Sequence, residues 1–245
     1  MPIAVVIPAL DEAESIRVVV ESARDAAACD GPVVRTPGRS AGDMADDPPV
    51  VEVIVVDGGS RDRTADRARA AGARVIKSPP GRARQLDAGW RATEAEVVLF
   101  LHADTRLPRG FATAVERALR DPSVAGGAFR LSFDESSWGL RIVEWGAHLR
   151  AARLGLPYGD QALFARRTVL EAAGGVRQVP LLEDLDLARA IAARGRLVLL
   201  PESVVTSARR YRNDGTFRTW ARNALALLGW RLGVDRGRLA EWYRR

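Results

Sequence analysis

Apolar positions along this chain fall into two rhythms. Short unbroken runs, Ile3–Ile7, Val53–Val56 and Val97–Leu101, are bounded by polar or turn-forming residues and read as strands buried on both faces. Between them, apolar residues recur three or four apart, as at Ile16, Val19, Val20 and Ala23, which marks helices lying against the sheet. In order, the pattern predicts a strand over 2–8, a helix to about 28, a strand over 50–56, a helix to about 71 and a strand over 74–77. A helix from about 82, a strand over 97–101, a helix over 109–120 and a strand over 124–133 follow. The remainder reads as a helix over 138–154, a turn at 158–161, strand-like sequence at 162–165 and a helix from 181 to about 194. Strands over 196–200 and 204–207 then precede a helical C-terminus. Strands alternating with helices predict an α/β fold with a mostly parallel, Rossmann-like central sheet flanked by helices. Residues 30–49, rich in Pro, Gly, Asp and Ser and without periodicity, read as a mobile surface insertion.

The polar residues that interrupt this pattern gather at strand ends, where open parallel sheets place their ligands. The first strand runs into Pro8-Ala9-Leu10-Asp11-Glu12, with Glu12 and Glu14 expected in the first turn of the following helix. The second ends in Asp57-Gly58-Gly59, a tight turn with an acid placed for a base or ribose. It is not the G-x-G-x-x-G fingerprint, so a dinucleotide site is not indicated. Val97–Leu101 passes into His102-Ala103-Asp104-Thr105, whose His-x-Asp triplet is placed to hold Mg²⁺ or Mn²⁺; capping of the next helix is the plainer reading. Arg82 and Arg84 open a helix, where cations are unfavourable unless an anion is near, so the pair favours a diphosphate. Glu183, Asp184 and Asp186 open another, either to complement its dipole or to take a proton from a hydroxyl.

Charge adds one thing. The chain carries 37 Lys+Arg against 31 Asp+Glu, yet residues 206–245 hold ten Arg and three acids, so the whole excess lies there. Such a tail attracts nucleic acid, anionic lipid or phosphorylated substrates. The single cysteine, Cys29, excludes an internal disulfide framework. With no leader-like segment and no run of the ~20 apolar residues that spans a bilayer, a cytoplasmic protein is expected, with peripheral membrane contact through 206–245 as an open reading. Phe217, Trp220, Leu227 and Leu228 lie roughly on one side of the last helical region, a pattern more often core packing than membrane docking.

Seven segments in order, VIPALDEAESI, VVDGGSRDRT, GRARQLDAG, FLHADTRLP, PYGDQALFARR, PLLEDLDLARAI and TSARRYRNDG, resemble the family-2 glycosyltransferases of GT-A fold across nearly the whole chain. They look closest to the subfamily associated with radical-SAM and selenodomain proteins. The resemblance implies one GT-A domain: 1–104 a nucleotide-sugar-binding half, 105–205 an acceptor and catalytic half, and 206–245 a basic helical segment. It implies a UDP- or GDP-linked sugar donor held by Pro8, Ala9, Glu12 and Asp57, with Arg84 at the diphosphate and Arg209 and Arg210 closing over it. His102-Ala103-Asp104 stands where relatives carry a DXD-type motif. Asp104 is then the ligand of Mn²⁺ or Mg²⁺, and His102 contacts ribose, ligates the metal or packs. Glu183-Asp184 matches the family's catalytic pair, with Asp184 the general base of an inverting transfer to an acceptor hydroxyl, lipid-linked acceptors included, and Asp186 its nearest rival. Nucleic acid is not expected as a partner. The competing expectations are a sugar-phosphate nucleotidyltransferase and a non-catalytic nucleotide- or membrane-binding protein.

Overall fold

The computed structural model describes residues 1–28 and 50–244, so Cys29 and the expected insertion over 30–49 lie outside the described residues. Parallel strands β1 (Ile3–Ala9), β2 (Val51–Asp57), β3 (Arg74–Lys77) and β4 (Val97–Phe100) form one half of an eight-stranded sheet. The other half contains β5 (Thr105–Arg106), β6 (Val124–Phe133), β7 (Phe164–Arg166) and β8 (Arg196–Thr206), and the order across the sheet is β3-β2-β1-β4-β7-β6-β8-β5. Four of the seven pairings are parallel; β7 is antiparallel to both β4 and β6, and β5 to β8.

The continuous apolar runs follow from burial on both faces. Ile3, Val5 and Ile7 of β1 with Val97 and Leu99 of β4 face α1 (Ile16–Ala28) and α4 (Phe111–Leu119). Val6, Val98 and Phe100 face the other way, onto α3 (Arg82–Arg91) and α7 (Glu183–Ala192). Both sides of the strand are therefore apolar, as a two-sided sheet requires. Gly126 and Gly127 of β6 serve neighbouring backbone: a Cβ there would stand 2.3 Å from the Phe164 carbonyl and 2.5 Å from that of Val198. The other helices are α2 (Thr64–Ala70), α5 (Trp138–Leu154), α6 (Arg167–Ala172), α8 (Arg209–Asp214), α9 (Thr216–Arg231) and α10 (Arg236–Arg244).

Several expectations change. The strands expected over 196–200 and 204–207 are one strand, β8, whose pairing with β6 shifts register between Ala128 and Arg130 and so absorbs the intervening residues as a bulge. His102 and Asp104 cap no helix; they precede the short strand β5. Helix α1 begins at Ile16, leaving Glu12 and Glu14 in the turn before it, where the Glu12 carbonyl accepts from the Ile16 amide. Helix α9 departs from core packing as well. It buries Thr219, Ala226 and Trp230, one face at 0, +7 and +11, and of the four expected apolar residues only Leu227 packs on a core cluster, while Phe217, Trp220 and Leu228 are exposed. Among the described residues no helix is long and apolar enough to cross a membrane.

Candidate active site

The carboxyl ends of β1, β2 and β4 lie side by side, and their loops are tied together. Asp57, buried at the end of β2, accepts from the Ser60 amide at 3.0 Å, and the Gly58 amide donates to the Ala9 carbonyl at 2.9 Å. Buried Gln85 on α3 donates from Nε2 to the carbonyls of Ala9 and Val56, both at 2.8 Å, so the ends of β1 and β2 are held at a fixed spacing. The Asp11 amide donates to Ser60 Oγ, the Arg61 amide to Asp11 Oδ1, and the Glu12 amide to Thr64 Oγ1. Pro8, Ala9, Glu12 and Asp57 thus share one scaffolded rim. Nothing in the sequence pattern singles out Gln85, because its role depends on two carbonyls far away in the chain.

Asp104 follows β4. Burial pushes its carboxyl above the usual range, and the positive charges of Arg82 and Arg209 oppose that push. It lines a cleft of about 340 Å³ with Glu14, Ser207 and Arg209. Arg209 reaches across to Glu12 Oε2 at 3.3 Å. Arg210 turns the other way, donating to the Tyr243 hydroxyl at 2.6 Å and stacking 5.0 Å from its ring.

Opposite these loops, α7 starts with Glu183 and Asp184. The anion beside the arginine-bearing start of α3 proves to be a protein group: Arg82 Nε lies 3.0 Å from Glu183 Oε1. Arg84, expected at the diphosphate, is exposed on α3, and Arg82 occupies the inward position. A two-residue step on a helix rotates a side chain by about 200°, so only one of the two can point inward. Glu183 is buried, which raises its carboxyl; Arg82 opposes that shift and the neighbouring Asp184 adds to it.

Asp184 and Asp186 separate cleanly. Asp184 Oδ2 accepts a 2.6 Å hydrogen bond from the Gly159 amide, and Oδ1 accepts from the Leu185 amide at 2.9 Å. Asp186 is engaged elsewhere: Arg236 grips both its oxygens at 2.7 and 2.8 Å, and Trp230 Nε1 donates at 2.9 Å. Asp186 therefore anchors α9 and α10 to α7.

Gly159 is the junction of the site. A Cβ there would stand 2.4 Å from Arg82 Nη2, 2.8 Å from His102 Nε2 and 3.1 Å from Asp184 Oδ2, so only glycine admits all three side chains. His102 is held well below its ordinary pKa by burial and then by Arg82, which keeps the imidazole neutral. Its Nε2 is buried without a hydrogen-bond partner, on the Gly159 side, whereas Asp104 lines the cleft beside Ser207 and Arg209. The turn carrying Gly159 is fixed by buried Gln161, whose Nε2 donates to the Phe129 carbonyl at 3.1 Å and whose Oε1 accepts from the Tyr158 amide at 3.2 Å.

Asp160, next in the turn, has a buried Oδ1 without a partner and a carboxyl pushed up to about 6, by burial first, with Arg150 opposing and Asp184 adding to the shift. The folded state thus holds this proton more tightly than the unfolded chain. Stability is lost as pH rises from about 4 through 6, by at most about 3 kcal/mol. Asp160→Asn is expected to melt like the parent at pH 4 and several degrees higher at pH 8; equal melting temperatures across that range would refute it.

A family model described as Glycosyl transferase family 2 matches residues 4–169, more than half of the chain and all of the strand-end loops above. This chain belongs to glycosyl transferase family 2. Family membership makes it a glycosyltransferase, which decides against the nucleotidyltransferase and the non-catalytic binding protein. No curated protein matches it. Among solved structures it is similar to a mycobacterial protein at 23% identity and TM-score 0.54, covering 84% of this chain and 65% of that one, under two thirds of its length. It is also similar to glucosyl-3-phosphoglycerate synthase from Mycobacterium tuberculosis. The complex of that enzyme with phosphoglyceric acid aligns at 23% identity and TM-score 0.64, covering 96% of this chain and 81% of that one. Its complex with Mn²⁺, UDP-glucose and phosphoglyceric acid aligns at 22% and 0.62, covering 96% and 80%. At these identities the likeness is one of fold: this family-2 chain shares the α/β architecture of those enzymes.

Proposed function

We propose that this glycosyltransferase moves a sugar from a nucleoside-diphosphate donor, UDP- or GDP-linked, to an acceptor hydroxyl with inversion, and that Asp184 is the general base. The observation that carries this reading is the division of labour on α7. Asp184 faces the strand-end loops from a backbone-held position, while Asp186 is consumed by Arg236 and Trp230. The order of the seven sequence segments supports the narrower placement beside the radical-SAM- and selenodomain-associated transferases.

The rim of Pro8, Ala9, Glu12 and Asp57 receives the base and ribose. The acceptor hydroxyl gives its proton to Asp184, and its oxygen bonds to the anomeric carbon on the face opposite the diphosphate. The bond from that carbon to the diphosphate oxygen breaks, and the electron pair leaves with the nucleoside diphosphate. Arg82 and Arg209, the two cations that act on Asp104, stabilise the charge developing there. Glu183 is a positioning residue that aims Arg82. Arg84, a half-turn away from Arg82 on α3, and Arg210, tied to Tyr243, are left out of the diphosphate site in this reading.

Among the described residues no three His, Cys, Asp or Glu side chains converge, so these residues alone do not enclose a metal. Asp104 alone, with its charge drawn into the cleft, fits a cation that takes its remaining ligands from diphosphate oxygens and water, as Mg²⁺ and Mn²⁺ commonly do. When bound, such an ion supplies positive charge at the leaving group. His102 packs against Gly159 in this reading and is not a ligand.

The test is thermal stability against UDP-, GDP- and dTDP-sugars with and without Mn²⁺ or Mg²⁺. A ligand at a hundred times its dissociation constant adds ~2.7 kcal/mol, so metal-dependent stabilisation by one nucleotide class is expected, and it should vanish in Asp104→Ala. No shift with any nucleotide would overturn the donor assignment.

A further inference from the structure

An open chamber of about 420 Å³ lies between α5 and α9, within the ~300–1,000 Å³ typical of ligand sites, and the donor rim does not use it. Its walls are apolar: Leu131, Val143, Ala147 and Leu227. Of its two arginines, Arg150 is already engaged, 3.5 Å over the Tyr158 ring and bonded to Leu156 and Gln161, and Arg153 stands exposed at the rim. The polar end is formed by Tyr158 and Asp160, one residue either side of the Gly159 amide that holds Asp184. The chamber therefore ends at the turn whose Gly159 amide holds Asp184, and Asp184 itself lies on the other side of that turn.

The same two helices carry an apolar face that is exposed among the described residues and meets the chamber at Leu149 and Trp220. Trp138, Ile142, Trp145 and Leu149 of α5 are exposed at 69, 45, 68 and 36%, and their spacing sets them within an arc of about 60°. Phe217 and Trp220 of α9 extend the face, and the Trp138 and Phe217 rings pack at 5.6 Å where the helices meet. Exposed Arg141, Arg153 and Arg218 flank it, and the C-terminal segment containing α9 holds the chain's entire charge excess. Aromatic side chains ringed by arginines suit the headgroup level of an anionic bilayer, where Trp is enriched and each cation near the surface adds about 1 kcal/mol.

We propose that the α5/α9 face docks on an anionic membrane surface and that the chamber behind it takes the apolar body of a lipid alcohol, whose hydroxyl, held at the Tyr158 and Asp160 end beside the turn that positions Asp184, is the acceptor. The last step rests on the reading of Asp184 as base; docking and chamber binding do not. Substituents added at Gly146 meet the chamber directly, because a Cβ there has no atom within 4 Å. Leucine at this helical position fills the space and favours the helix over glycine.

The experiment has two arms. Flotation with phosphatidylcholine vesicles, with and without phosphatidylglycerol, is expected to recover the full chain only with the anionic lipid. Trp145→Glu should lower that recovery at least tenfold at an unchanged melting temperature. Farnesol binding, followed by calorimetry in detergent-free buffer, should weaken at least tenfold in Gly146→Leu while donor-induced stabilisation is unaltered. Absence of flotation, or light scattering showing a dimer that Trp145→Glu dissociates, would overturn membrane docking. Equal farnesol binding by both proteins would overturn the chamber assignment. Failure of the transferase reading looks different: flotation and farnesol binding persist, and no nucleotide stabilises the protein.

Discussion

Asp184→Asn is expected to lower kcat by about 10²- to 10⁴-fold, the range a positioned general base contributes, with donor binding close to that of the parent and a melting temperature lowered by the one backbone donor that loses its acceptor. The amide keeps the shape, but its single carbonyl oxygen can accept from only one of the Gly159 and Leu185 amides, and it cannot take up the acceptor proton. Steady-state kinetics with donor-induced thermal shifts would separate loss of chemistry from loss of binding. A variant that retains kcat within threefold would remove Asp184 from the mechanism. Inversion is read separately, from the anomeric configuration of the product.

Two residues along the same helix, Asp186→Ala is expected to cost about 3 kcal/mol of folding stability while each folded molecule keeps most of its turnover. Removing this carboxylate strands Arg236, whose side chain is only 19% exposed, and leaves Trp230 Nε1 without its acceptor. Breaking one partner of a buried pair is costly because the other charge stays desolvated. Arg189 and Arg236 also sit 3.8 and 5.7 Å from the Trp230 ring, so the loosening should spread through α9 and α10. Denaturant unfolding followed by Trp fluorescence measures it. A loss under 1 kcal/mol would show that the C-terminal helices are held mainly by the apolar cluster of Leu156, Leu185, Trp230 and Leu239.

The opposite characters of two acids in one first turn show what a linear pattern can carry. Both sit at the start of α7, and both satisfy the expectation that acids complement a helix dipole. What distinguishes them is the side of the helix each occupies and which distant groups arrive there, Gly159 for one and Arg236 with Trp230 for the other. The same holds for Arg82 and Arg84. The pair favours a diphosphate in the linear pattern, and the fold adds an anion that the pattern does not name, Glu183, a hundred residues away and beside Arg82.

Features set by local physics were legible. Apolar runs buried on both faces of β1 and β4, the acids at strand ends and the helical periodicity of α1 depend on neighbours within a few residues, and they suffice for the α/β class. The seven ordered segments add the family resemblance, and the family match then makes that statement independently. Tertiary structure alone decided the rest. It merged two expected strands into β8 across a bulge, exposed Phe217 and Trp220 of α9, placed Gly159 at the meeting point of Arg82, His102 and Asp184, and opened the chamber behind Asp160. Each of these depends on which surfaces the sheet brings together from distant parts of the chain, and periodicity along the chain holds no record of that pairing.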